Sequence, residues 1–507
     1  MKTFFLLVFT LLAFALSAQK ITYSEPERDD TRRTNFEIIG KMGSNYLIFK
    51  NNRSDNAISV YDNNMKLIDR VKLDFMPDRW INTDFVAYPN HAYLIYQHQH
   101  RNIIHCSMVK IGNDGKAIGE PIDLDTTQIG FAANNKIYTL LVSEDKQRIM
   151  VFKINSKNHK SFLFTTMLFD ANMKLINEKQ RMSLPMQERN DYFTDFLLDN
   201  EGDLVFGKLV KSNNSDYVSK VTLVTKPAHL DSFVTKELGT NEKVLDEVNL
   251  KVDNTNKRYL FTGFYYKQRK GNIEGLYAAS WDKSTFSLMN ESFIVFNDEL
   301  RSLAKSSDAN LRMAFNDYFI KHIITKKDGG FLLVSESEYT TSRGNAFNRW
   351  DYLTWNNPWG LSSYNYYSYS PLYSRWYSPW NRWGTNVPTR YHAENILILS
   401  FDKDAKLTWT NVIPKSQFDD ETDNLISHTL MNTGGQLHFL FNQYERKNLL
   451  LNDQSIGPDG KVTRYPTLRN LDKGYEFMPR YGKQVSAWEM IVPTLYRNYL
   501  CFAKVEF

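Results

Sequence analysis

Hydrophobic positions along this chain recur as a short phrase rather than as a helical stripe. An apolar strand core such as Tyr46-Leu-Ile-Phe49 is followed by a second strand that ends in a charged turn, Asp62-Asn-Asn-Met-Lys-Leu67. The first landmark returns at Tyr93-Leu-Ile-Tyr96, Ile137-Tyr-Thr-Leu-Leu141, Leu204-Val-Phe206, Tyr259-Leu-Phe261, Phe331-Leu-Leu-Val334, Leu437-His-Phe-Leu440 and, more loosely, Ala487-Trp-Glu-Met-Ile491. The second returns at Gly112-Asn-Asp-Gly115, Leu168-Phe-Asp170, Leu223-Val-Thr225, Ser280-Trp-Asp282, Ser400-Phe-Asp402 and Gly457-Pro-Asp-Gly460. A further strand follows each, for example Leu407-Thr-Trp-Thr-Asn-Val-Ile413. Strand-only units repeated every ~45–70 residues predict a β-propeller, with about four strands per blade. No stretch sustains a helical period.

Eight blades are expected, with seven as the alternative should the third or last unit be irregular. The eighth unit is short, ending in Tyr499-Leu-Cys-Phe-Ala-Lys-Val-Glu-Phe507. An open ring would leave a bare sheet edge, which proteins avoid. The N-terminal stretch Lys20-Ile-Thr-Tyr-Ser24 is therefore expected to supply the missing outer strand. The organisation expected is a signal peptide over 1–18, one propeller domain over 19–507, and an insertion over 342–393 within the sixth blade, after its first strand.

The leader rests on Lys2, the apolar run from Phe4 to Leu16, and the small residues Ser17 and Ala18. With no Cys near the cleavage site, export without a lipid anchor is expected, to a periplasm or the cell exterior. No later apolar run is long enough for a transmembrane helix.

The insertion concentrates aromatic residues. Trp350, Trp355, Trp359, Trp376, Trp380 and Trp383 are six of the ten tryptophans, and Tyr364, Tyr366, Tyr367, Tyr369, Tyr373 and Tyr377 stand among them. Pro358, Pro371 and Pro379 exclude a long helix. One reading is a self-packed lid over the ring, since each ring buries roughly 150–250 Å². The other is a recognition loop, because Tyr, Trp, Ser, Asn and Gly compose adaptable binding surfaces. Its target would be a protein, with a glycan or a membrane interface as alternatives. The candidate anchors are Trp350, Trp355, Trp359, Tyr367, Tyr373, Trp376, Trp380 and Trp383.

Composition narrows the remaining classes. The net charge of +5, from 62 basic and 57 acidic residues, lacks the concentrated basic face of a nucleic-acid binder. Lys267-Gln-Arg-Lys270 is expected at a solvated hairpin tip beside Gly271-Asn272. Zinc-protease, Cys-x-x-Cys, nucleophile-elbow and phosphate-loop motifs are absent, as is the Asp box of sialidase-type propellers. His98, His100 and His105 flank a two-residue turn at Arg101-Asn102, with His98 opposite His105. Three imidazoles on one face are a candidate zinc or copper site. Asp419-Asp-Glu-Thr-Asp423 offers oxygens to calcium, but fits a solvated connection better. No cofactor is called for. The two cysteines, Cys106 and Cys501, fall on third strands of blades 2 and 8. A whole blade should separate them, so free thiols are expected.

The leader, the Asp-turn blades and the interrupting aromatic loop together resemble exported bacterial β-propeller proteins of unassigned function. That resemblance implies a fold and no site residues. The expectation is a non-enzymatic, exported propeller that binds an envelope or surface protein through its loop face. A carbohydrate-binding or carbohydrate-active propeller with a central-channel site and a structural envelope component are the alternatives.

Overall fold

The computed structural model describes residues 19–27, 34–52, 55–129, 136–155, 161–186, 191–211, 218–239, 243–246, 248–268, 271–305, 310–342, 389–420, 423–445, 448–465, 474–497 and 499–507. Nearly all regular structure in them is antiparallel strand. Eight four-stranded blades follow one another as a β-propeller, spanning 34–72, 80–128, 138–185, 191–238, 249–295, 318–413, 428–464 and, for the eighth, 475–506 plus Lys20–Tyr23. In blade 1 the strands Thr34–Met42, Asn45–Asn52, Asp55–Tyr61 and Leu67–Lys72 pair in simple sequence order. Around the axis the first strands of blades 1 and 2, 3 and 4, 4 and 5, and 5 and 6 touch. The fourth strands, such as Leu67–Lys72 and Val234–Leu238, lie outermost and are largely exposed.

The ring closes as expected. Lys20–Tyr23 pairs with Tyr499–Glu506, placing Lys20 opposite Glu506 and Tyr23 opposite Ala503. Ser24 and Glu27 extend the pairing through backbone bonds to Phe502 and Leu500.

A hydrophobic cluster seals every one of the eight blade interfaces. Leu47, Phe49, Leu94 and Val109 join blades 1 and 2; Ile38, Tyr46, Ile491 and Phe502 close the circuit between blades 8 and 1. Second and third strands are covered on both faces, which is why Arg258–Tyr266 is buried along its whole length. Such burial supplies about 25 cal/mol per Å² of apolar surface, repeated at each interface.

The Asp turns carry the repeat. Asp62 Oδ1 accepts from the backbone N–H groups of Asn64 and Lys66, and Asp170, Asp199 and Asp402 repeat the arrangement. Three residues after each Asp the backbone turns left-handed, at Met65, Met173, Gly202 and Ala405. Gly is the usual choice there. Met65 instead takes φ 57° and inserts a fully buried side chain at the interface of blades 8 and 1, so packing offsets the strain.

Four expectations need correction. The repeated landmark core is the second strand of most blades, because a less apolar first strand precedes it. The aromatic insertion accordingly leaves after the second strand of blade 6, not after its first. In the third unit, Ile137-Tyr-Thr-Leu-Leu141 instead overlaps the first strand, Tyr138–Val142, and the equivalent second strand is Arg148–Asn155. The insertion is also shorter than 342–393: strand Phe331–Ser342 runs up to it and Thr389–Phe401 resumes after it, with Ser342 opposite Thr389. A short helix, Asp298–Ala304, capped by Asn297, lies in the 296–317 connection.

Candidate functional site

The two faces of the ring differ. On one, first-to-second and third-to-fourth strand turns are short and stitched together: Gly43 N–H donates to the Pro89 carbonyl, Asp145 N–H to Asn200, Asn200 N–H to Asn254, and Asn256 to the Lys326 carbonyl. The opposite face carries the longer connections 296–317 and 414–427 and the strand ends Ser342 and Thr389, between which the aromatic segment is inserted. The candidate anchors Trp350, Trp355, Trp359, Tyr367, Tyr373, Trp376, Trp380 and Trp383 all lie outside the described residues.

The root of that segment is described, and it is unusual. Above the blade, the hairpin of Phe331–Ser342 and Thr389–Phe401 continues upward, and Gln417–Asp419 pairs alongside it. Tyr339 stacks on His392 with ring centroids 4.4 Å apart, and the Arg390 guanidinium sits 4.4 Å over half-exposed Phe418 while pairing with Asp420.

Beneath the root lies a buried ionic network drawn from blades 6, 7 and 8. The Glu336 carboxylate lies 2.7 Å from Lys415 Nζ and 3.1 Å from His428 Nδ1, and Ser427 Oγ donates to it at 2.5 Å. The side chains of Glu336, Lys415 and His428 are all excluded from water. Two residues on, Glu338 receives Lys321 at 2.6 Å and Arg480 at 2.8 Å, and Arg480 also pairs with Asp423. Burial alone would push the Glu336 carboxyl up. Lys415 and His428 outweigh it and hold the group well below the usual carboxylate range. Glu338 is lowered in the same way: burial opposes, and Lys321 and Arg480 prevail. Lys415 is lowered by its own burial, against the pull of Glu336. Both carboxylates are thus ionised and fully engaged, which is the arrangement of a clamp.

Sequence reading missed this network because its members come from three blades. One signal was present: Glu336 and Glu338 follow the apolar run Phe331-Leu-Leu-Val334 of a central strand.

The remaining candidates are placed plainly. His98 does lie opposite His105 across the Arg101-Asn102 turn, and the rings stack 5.0 Å apart at 13°. His105 Nδ1 lies 2.8 Å from Asp123, while His100 pairs with Ile103 at the hairpin end. Among the described residues no group of three or more His, Cys, Asp or Glu is placed to hold a metal ion. Asp423 pairs with Arg480 and Asp420 with Arg390, within the connection into blade 7. Cys106 and Cys501 are buried free thiols. No described helix is long and apolar enough to cross a membrane.

No protein-family model and no curated protein sequence matches this chain. Among solved structures, prolyl oligopeptidase B from Galerina marginata bound to a macrocyclization substrate is similar over 93% of this chain and 57% of its own, at 7% identity and a TM-score of 0.41. An ulvan lyase from a polysaccharide lyase family is similar over 82% and 90%, at 10% identity and a TM-score of 0.37. The chain spans a little over half the length of the prolyl oligopeptidase. Similarity this low carries nothing about chemistry.

Proposed function

We propose that this propeller is a recognition scaffold that presents the segment 343–388 on its loop-bearing face to a protein partner, without chemistry of its own. The observation that supports it most is the clamp at the segment's root. Glu336 and Glu338 bind one rising strand to Lys415, His428 and Arg480 of the neighbouring connections and blades, so the hairpin leaves the ring at a fixed place. A rigid root reduces the ordering cost that a binding loop incurs on contact. Trp and Tyr then serve as anchors of large contact area and few rotatable bonds. The leader-like first 18 residues support an exported location, where the partner would be an envelope or surface protein.

The test follows from the register. Ser342 lies opposite Thr389, so an Asn-Gly turn can replace 343–388 and close the hairpin. Cross-linked co-purification from native envelopes should recover a partner with the intact chain and lose it with this deletion. A triple variant with Trp359, Trp376 and Trp380 changed to Ala should lose it as well. Recovery of the same partners in all three samples would overturn the reading.

A further inference from the structure

The first strands of blades 4, 5 and 6 bring three ionisable side chains to nearly one depth around the axis. Depth can be counted along the second strand of each blade, starting from the stitched face. Asp195 falls opposite the third residue, between the Phe193–Lys208 and Leu197–Val205 pairs. Lys251 faces Leu260, again the third, and His322 faces Val334, the fourth. Asp195 and His322 are solvent-exposed yet enclosed by protein on nearly every side, as expected of side chains in the wall of a narrow axial channel. Lys251 is half-buried. None of the three side chains has a hydrogen-bond or ion-pair partner among the described residues.

That lack of partners is costly, and elsewhere in this molecule several enclosed carboxylates are paired. Glu336, Glu338, Asp125, Asp199 and Asp253 all hold a Lys or Arg. Burial pushes the Asp195 carboxyl up with no compensating cation. Burial, with His428, Lys321 and Lys251 nearby, lowers His322 to about 3, so its imidazole is neutral and can both donate and accept. The arc thus combines a carboxyl, a Lys and a neutral imidazole, groups that between them accept from and donate to hydroxyls.

We propose that this layer is a binding site for a small neutral polyhydroxylated ligand, a mono- or disaccharide, held in the axial channel. Asp195 accepts from hydroxyls, and Lys251 and His322 donate to others. An apolar ligand would leave all three groups unpaired. The site is independent of the aromatic segment.

Saturation-transfer NMR on the full chain tests it, with glucose, galactose, mannose, N-acetylglucosamine, maltose and cellobiose as probes. At least one sugar should show transfer. Asp195→Asn and His322→Gln should each weaken it about tenfold or more, as expected for losing a hydrogen bond to a charged or enclosed group. Both variants should melt cooperatively, and the 343–388 deletion should leave the transfer intact. Absence of transfer from every sugar overturns the proposal, as does transfer undiminished in both folded variants. Transfer lost only with the deletion overturns it too, by moving sugar binding to the aromatic segment.

Discussion

Arg480, in blade 8, donates Nη2 to Glu338 in blade 6 at 2.8 Å while Nη1 reaches Asp423 in the connection to blade 7. One guanidinium thereby ties three consecutive blades beneath the root of the aromatic segment. Its planar fork suits this task in a way a Lys ammonium would not.

Breaking the network from one side should be costly. Glu336→Gln removes the ion-pair partner of buried Lys415, and a loss of about 3–5 kcal/mol is expected in urea unfolding. Replacing both partners together, Glu336→Leu with Lys415→Met, should recover most of that loss. A single variant as stable as the parent would show that the clamp contributes nothing.

Acid should release the clamp. Glu336 and Glu338 have depressed folded-state pKa values, so their stabilisation is fully present above the unfolded value of about 4.3 and is lost as pH falls through the folded values. Thermal melts between about pH 5 and pH 2 should therefore steepen for the parent. The Glu336→Gln variant should show a weaker dependence over the same window.

Asp195 offers the opposite sign. A carboxyl raised by burial destabilises the fold once the unfolded chain ionises, so Asp195→Asn should raise the melting temperature at pH 7 and have no effect well below pH 4. A drop at pH 7 would mean the carboxylate has a structural partner.

The buried thiols should be inert. Burial pushes Cys501 up to about 12 and Cys106 higher, so neither forms thiolate at pH 8. A thiol reagent should label neither in the native protein and both after denaturation. Rapid native labelling would contradict the sealed interfaces.

Gly460 takes φ +79°, and a Cβ there would meet the Trp409 ring at 2.8 Å. Gly460→Ala should cost about 1–3 kcal/mol from strain and crowding together. Met65→Gly relieves a similar strain but empties a buried site, so it should destabilise as well; melting of both variants checks the pair.

The propeller was legible because each blade repeats one apolar core and one Asp turn, and because an incomplete last unit demands a strand from the other end. Blade 3 misled by offering an apolar first strand, Tyr138–Val142, that imitates the usual second. The clamp was not legible: Arg480 meets Glu338 across 142 residues of sequence, with no local spacing to betray it. Asp195 was hidden for a different reason. A lone carboxylate between two short strands looks like any turn residue until the ring encloses it.

The pairing of Lys20–Tyr23 with Tyr499–Glu506 sets an order of events during synthesis. Blades 1 to 7 can each complete their own sheets as they leave the ribosome, but blade 8 cannot. Its outer strand is translated first and its third strand last, so the earliest residues of the fold must wait, unpaired, for the latest. A chain halted shortly before Tyr499 keeps seven finished sheets and an open circle, and its N-terminal strand has nowhere to bind.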